Sequence, residues 1–436
     1  MKDIKLNRTQ KIIIALVFML SLAGAYLIDE SFCPDEYGRR LLSDWICQNG
    51  RLPLGDEPEL IIGEWGFSYA LRPYVSAIVG AVFTKLFSVL GLGGRMLLVA
   101  SRMCSVISIT SAAYFGLKLG NEVLDNKESS VLMTVVLVFN PQTLFLGMYQ
   151  NNDILSIAAV MAVIYCIIKG NRDKWNIRSC IMLSISVSVC LLSYYTVYGW
   201  LLVLGIVFLF SLIRNSGDKA SGIIKKILLI AALITVCAGW FFIRNAMIHN
   251  GDFLGVASEE TSRNQLIAQG YNVIPYDRPC DNGVSFISFL TGNHFSWIHF
   301  TIRSTFAAFG YMNIWIAKWM YWIYYLLIIF YVALYLLFDL FGKRKQYHKM
   351  MDFIVILSGM ITVGLSVYQS YFRDYQPQGR YIITVLISAG YLMGRGADRM
   401  TDKTGKKWVA NAGSVLWFCL SLSVFLLYMS KMFIQI

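Results

Sequence analysis

The chain has 436 residues, of which 57% are hydrophobic and only 15% charged, with a formal net charge of +12. This balance excludes a soluble globular domain, and a mean hydropathy of +0.57 points to a chain that lives in a bilayer. The positive excess would suggest nucleic acid as partner in a soluble protein. Here the basic residues cluster between apolar runs, so charge reads as membrane topology and no nucleic acid is expected.

A spanning helix needs roughly 20 apolar residues. In chain order, segments that reach or approach this length lie at 12–28, 102–119, 131–147, 154–168, 180–194, 198–212, 227–243, 314–340, 353–368, 381–393 and 409–429. The first has a basic flank but no small-residue cleavage site before Asp29, so it reads as a retained span and not a signal peptide. A further apolar stretch, 73–90, decides the topology. If it crosses fully, the basic clusters that include Lys169, Arg214, Lys343 and Lys403 fall outside; if it lies along or dips into the outer leaflet, they fall inside with the cluster that starts at Lys2. The second arrangement puts 23 of the 38 basic residues inside but only 10 of the 26 acidic ones, as the positive-inside rule requires. All eight prolines then lie in outer loops or at outer helix ends. The expectation is one all-α polytopic membrane domain over 1–436, with about 11 transmembrane helices and a cytoplasmic N-terminus. Its two long outer loops are 29–101 and 244–313.

Loops of that kind are where membrane scaffolds carry function. Asp35 and Glu36 follow Pro34 just beyond the first span. A carboxylate beside apolar walls loses solvation and becomes a better base, so this pair is the candidate catalytic centre. Glu64, beside Trp65 and Gly66, is a weaker acid candidate, and Asp153 ends the short outer turn that contains Gln150, Asn151 and Asn152. Arg102, Arg244, Arg303 and Arg380 all fall at or near outer boundaries. Arginine's planar fork suits phosphate, and snorkelling to headgroups is the structural reading of any single one. Tyr194, Tyr195, Tyr198 and Trp200 read as an interfacial aromatic belt. The four histidines form no metal signature; His294 and His299 are five apart, a weak ligand spacing. Cys33, Cys47 and Cys280 lie outside the spans, which leaves room for one disulfide.

Four segments together resemble the GT-C superfamily of membrane glycosyltransferases, closest to the bacterial protein O-mannosyltransferase and aminoarabinose transferase-like branches. They are CPDEYGRRLLSDWICQNGRLP (33–53), NPQTLFLGMYQNND (140–153), GWFFIRNAMIHNGDFLG (239–255), which the STFAAFGYMN pattern (304–313) follows, and QPQGRYIITVL (376–386). Where many relatives carry a histidine after the acidic pair, this chain has Gly38, Arg39 and Arg40. The resemblance implies a GT-C bundle with surface helices in the first outer loop, Asp35 as catalytic base supported by Glu36, and Arg380 as a ligand of the donor phosphate. Arg244, Arg303 and Arg102 are further phosphate candidates, and Asp153, Glu64, Asn245 and Tyr381 candidate substrate contacts.

It also implies a reaction. A sugar on a polyprenyl-phosphate carrier would pass, with inversion, to a glycan, lipid or protein acceptor at the outer face of a bacterial plasma membrane. No cofactor is required by the sequence; a divalent metal is compatible with it. Two other classes stay open. A transporter or flippase of a lipid-linked or anionic solute predicts charges near mid-span, whereas the spans here are almost free of them, and the absence of an internal repeat also disfavours one. A non-catalytic polysaccharide-assembly subunit is the other.

Overall fold

The computed structural model describes residues 5–340 and 346–433. The predicted basic positions Lys2, Lys343, Arg344 and Lys345 lie outside them.

Helix α1 (Arg8–Leu27) starts with a capping box, in which Asn7 and Gln10 each accept the other's backbone N–H. The first loop folds into α2 (Glu36–Asn49) and α3 (Val75–Val89). Between them an antiparallel ribbon joins β1 (Ile61–Ile62) to β2 (Phe67–Ser68), with Ile61 opposite Ser68. The long α4 (Arg95–Val123) leads into α5 (Lys127–Val138) and α6 (Pro141–Leu146), one apolar segment broken where Asn140 caps α6 and Pro141 opens it. Helix α7 (Asp153–Arg172) runs through the middle of the bundle, and every residue from 153 to 168 is buried. Next come α8 (Ile177–Leu191), α9 (Tyr198–Asn215) and α10 (Ala220–Ile234), the last continuing through a π-helical turn into α11 (Trp240–Ile248). The second long loop contains α12 (Val256–Ala268), α13 (Phe286–Thr291) and α14 (Trp297–Phe306), then the ribbon of β3 (Ala308–Phe309) and β4 (Ile314–Trp315). Helices α15 (Lys318–Tyr335), α16 (Gln346–Phe372), α17 (Val385–Thr404) and α18 (Trp408–Leu427) complete the bundle.

Each of the eleven predicted segments contains helix, and eight helices among the described residues are long and apolar enough to cross a membrane. The other three segments fall short for separate reasons. Helix α5 is interrupted after 12 residues, α8 has 15, and α17 is polar in its second half. Helix α3, on the disputed stretch 73–90, has 15 residues. That is about 22 Å at 1.5 Å per residue, short of the ~30 Å hydrocarbon core. It packs along α2 and α4, with Val82, Leu86 and Val89 exposed on its free face.

Two expected boundaries move. Helix α4 begins at Arg95, so Arg102 sits inside the helix and is fully buried, not at a surface boundary. Helix α17 runs to Thr404 where a loop was expected from 394. Arg395, which the positive-inside reading counts in the inner basic cluster with Lys403, is fully buried and paired with Asp398 at 3.1 Å. Asp398 in turn accepts the backbone N–H groups of Asp125 and Asn126 and so caps α5. Close packing of α17 on α15 depends on Gly396, where an added Cβ would lie 2.1 Å from the Tyr331 carbonyl. The belt reading also changes: Trp200 is fully buried and donates to Thr384 at 3.1 Å, and Tyr195 donates to the Leu254 carbonyl.

Single cysteines at the exposed positions Glu64 and Asn282 are expected to react with an impermeant maleimide in intact cells. A cysteine at Lys403 is expected to react only after permeabilisation. The opposite labelling of 64 and 403 would invert the orientation.

Candidate active site

The loop-rich end of the bundle is organised around one buried ion pair. Arg102 donates from Nε and Nη2 to the two oxygens of Glu36, at 2.8 and 2.5 Å, and both side chains are fully buried. The same guanidinium donates to the carbonyls of Ala25 and Ile28, each at 2.8 Å, at the end of α1. Glu36 also accepts the backbone N–H of Gln150 at 2.7 Å. One pair therefore joins α1, α2, α4 and the turn before α7. Glu36 and Arg102 are each other's partners, which leaves neither free to face a substrate.

The turn 150–153 is stapled by its polar residues. Gln150 donates to Ser43 Oγ at 2.6 Å, Asn151 to the carbonyls of Leu146 and Tyr149, and Asn152 to the carbonyl of Pro73 at 3.0 Å. This fixes Asp153 as the first residue of α7, buried, with Oδ1 free of any hydrogen-bond partner.

Asp35 precedes α2 in the left-handed conformation, φ +63°, a region that Asp tolerates better than most side chains. Its carboxylate meets Arg380 Nη1 at 2.8 Å. Burial pushes the Asp35 carboxyl up, but the charges of Arg380, Arg39 and Arg72 and the Arg380 hydrogen bond outweigh it, so it sits below the usual carboxylate value. Arg380 lies in a 3₁₀ turn (Gly379–Ile382) that packs directly on α14. Gly379 donates to Ser304 Oγ at 2.7 Å, and a Cβ there would fall 2.0 Å from the Thr305 nitrogen. The glycine of the QGRY segment is thus a close-approach residue that sets where Arg380 stands. Arg380 also stacks over the Tyr381 ring at 5.1 Å, donates to its hydroxyl at 3.2 Å, and keeps Nε unpartnered in the interior.

Two further arginines join the site. Arg39, one helical turn beyond Asp35, is 5% exposed. Its guanidinium lies 4.6 Å over the Tyr69 ring and 5.9 Å from the Tyr194 ring, and its Nε is unpartnered. No carboxylate lies within ion-pair distance of it among the described residues, although Asp35 and Asp153 are within electrostatic reach. Arg72, just after the β2 ribbon, holds Glu259 of α12 with two bonds of 2.9 and 2.6 Å. Tyr194 stacks on Tyr381 with ring centres 6.5 Å apart, so it belongs here and not to an interfacial belt. Sequence reasoning missed Arg39, Arg72, Tyr69 and Tyr194. A signal existed only for Arg39, whose i+4 spacing from Asp35 puts both at one end of α2.

The structure brings Asp35, Arg380, Tyr381 and Asp153 together and sets the remaining candidates apart. Arg244 engages the carbonyls of Leu52 and Pro53; Asn245, fully buried, donates to the Leu71 carbonyl at 3.2 Å. Arg303 is held by His299 at 3.0 Å and by the rings of Trp315 and Tyr321. Glu64 is exposed on the β1–β2 turn. All nine cysteines are free, so the disulfide considered among Cys33, Cys47 and Cys280 is not formed. Asp35 accepts from Arg380, and among the described residues no third carboxylate, imidazole or thiol completes a group with Asp35 and Asp153. The one such group, Asp125, Asp398 and Asp402, is at the other end of the bundle, where Asp398 caps α5.

No protein-family model and no curated protein matches the chain. The fold has solved counterparts. It superposes on ArnT from Cupriavidus metallidurans bound to undecaprenyl phosphate, with a TM-score of 0.53, 15% identity and 93% of this chain covered. The apo form of that ArnT gives a TM-score of 0.51 at 13% identity over 92% of the chain. The match spans 62% of the length of either ArnT chain.

Removing one partner of a buried pair strands the other charge, at a cost of about 3–5 kcal/mol. Glu36→Gln and Arg102→Met are each expected to lower the thermal midpoint of the detergent-purified protein sharply. The double variant should recover part of the loss, because it strands no charge. A double-mutant cycle measured by thermal unfolding tests this; additive losses would mean the pair is not coupled.

Proposed function

We propose that the chain is a glycosyltransferase that moves a sugar from a polyprenyl-phosphate donor to an acceptor at the extracytoplasmic membrane face, with inversion. The observation that carries this reading is the 2.8 Å contact between Asp35 and Arg380, set at the loop-rich end of a GT-C fold with the partner-free Arg39 beside it. The ArnT with undecaprenyl phosphate bound supports a lipid phosphate as the donor's leaving group.

The chemistry follows from the charges. In the resting protein Asp35 is ionised and neutralised by Arg380, which makes it a weak base. A donor phosphate entering between Arg380 and Arg39 competes for the guanidinium and takes over its hydrogen bonds. Asp35 is then a buried carboxylate with less compensation, so its basicity rises when substrate is present. It accepts the acceptor hydroxyl's proton while that oxygen attacks the anomeric carbon. The bond from that carbon to the phosphate oxygen breaks, and the polyprenyl phosphate leaves with the electron pair. The two arginines stabilise the charge developing on the phosphate. Asp153, buried within electrostatic reach of both cations, adds to the negative field that Arg39 and Arg380 face.

Asp35→Asn is expected to lower turnover by ~10²-fold or more with normal expression, the scale for a positioned base. The pH profile carries the sign. Because the free-enzyme carboxyl lies below the ordinary 3.8, kcat/KM should stay flat as pH falls towards that value. In Arg380→Ala burial prevails, so the acid limb should move upward. An unmoved limb would place the base elsewhere.

Arg380→Ala and Arg39→Ala should each weaken a polyprenyl-phosphate analogue by about ten- to a hundredfold, the loss of one charge-assisted hydrogen bond. Arg380→Lys should retain part of the affinity, since it keeps the charge and loses the fork. Equal titration curves for wild type and both alanine variants would remove the phosphate from this pair.

A further inference from the structure

A concavity with a volume of about 450 Å³ lies between the first and second long loops. One wall is the first-loop strip at Gly55 and Asp56, and the other is the end of α11 with the outer face of α12. Its floor is Leu71, whose chain neighbour Arg72 belongs to the surroundings of Asp35. The walls are set by firm contacts. Gly255, at φ +75°, brings α12 so close that a Cβ would fall 2.0 Å from the Leu71 carbonyl. His249 bonds the Leu54 carbonyl across the rim at 2.9 Å.

The lining has a specific chemistry. Asp56 supplies a carboxylate, Thr261 a hydroxyl, Gln265 an amide and His249 an imidazole, over an apolar floor of Ile61 and Leu71, while Ser258 donates to Asp252 at 2.8 Å within the lining. No lysine or arginine lines it. A groove with net negative charge repels a phosphate, and its carboxylates would lose solvation against a purely apolar tail. Alternating acceptors and donors over an apolar floor fit a ligand with many hydroxyls and no negative charge, and the volume falls in the usual range of roughly 300–1,000 Å³ for small-molecule sites.

We infer that this groove binds the acceptor, and that the acceptor is a neutral or amino-bearing saccharide whose reacting end passes Leu71 towards Asp35. The inference rests on the glycosyltransferase reading for the word acceptor; the binding of a hydroxyl-rich ligand does not. Free saccharide and lipid-linked saccharide share this chemistry, so both enter the test.

The experiment uses the full chain in nanodiscs. Saturation-transfer NMR is recorded with a panel of neutral and amino disaccharides, each free and undecaprenyl-linked, and undecaprenyl phosphate binding is measured separately. Thr261→Tyr fills the groove from an exposed position, Asp56→Lys reverses its charge, and melting curves confirm that both fold. At least one disaccharide should bind wild type, weaken about tenfold or more in Thr261→Tyr and weaken in Asp56→Lys, with undecaprenyl phosphate affinity unchanged. A larger loss for the lipid-linked form identifies that source. Binding unaltered by both variants, or no binding by any member of the panel, overturns the groove assignment. Failure of undecaprenyl phosphate to bind wild type, with saccharide binding intact and groove-sensitive, overturns the donor reading and leaves the groove.

Discussion

The buried pair of Glu36 and Arg102 is the constraint on which the functional end depends. Two fully buried charges persist only when each satisfies the other and their spare hydrogen-bonding groups are met. Here both conditions are fulfilled by drawing in backbone from elsewhere: the carbonyls of Ala25 and Ile28 and the N–H of Gln150. Meeting those conditions fixes the start of α2 relative to α1, α4 and α7. Asp35 is the next residue towards the N-terminus, so its position is inherited from a contact in which it takes no part. Adjacent acids in sequence thus divide the work, one holding the frame and its neighbour facing the cations.

Charge at the site is unbalanced in one direction. Arg380 shares Asp35, Arg72 is spent on Glu259, and Arg39 has only aromatic faces and more distant carboxylates. A buried guanidinium without an ion-pair partner is costly, and stacking on Tyr69 offsets part of that cost. The neighbouring groove carries the opposite bias, with two acids and no lysine or arginine.

Eight of the eleven expected spans were legible because hydrocarbon thickness and apolar run length are directly linked; the other three segments carry helix that is too short or too polar to count as spans. What sequence misplaced was polar residues whose partners are far along the chain. Arg102 finds Glu36 66 residues away, and Arg395 sits in a buried pair although its surroundings read as a basic loop. Asp35 and Arg380 could be singled out from local context and resemblance, but their contact joins opposite ends of the chain. Arg72 had no local signal, since its role comes from Glu259, 187 residues later. Tyr194 was misread because an aromatic at a span end has the same appearance in a lipid belt as in a protein pocket.

The burial of α7 from residue 153 to 168 has a consequence for how the protein is made. Helices α8 and α9, which supply much of its packing, are synthesised after it. When α7 first enters the bilayer its apolar flanks must be solvated by lipid, and its sequence is apolar all round to match. Lipid is then exchanged for protein as later helices arrive. The turn carrying Arg380 meets Asp35 only after residue 380 has been made, so a nascent chain that stops before it keeps its acids in the membrane without the cation that neutralises Asp35.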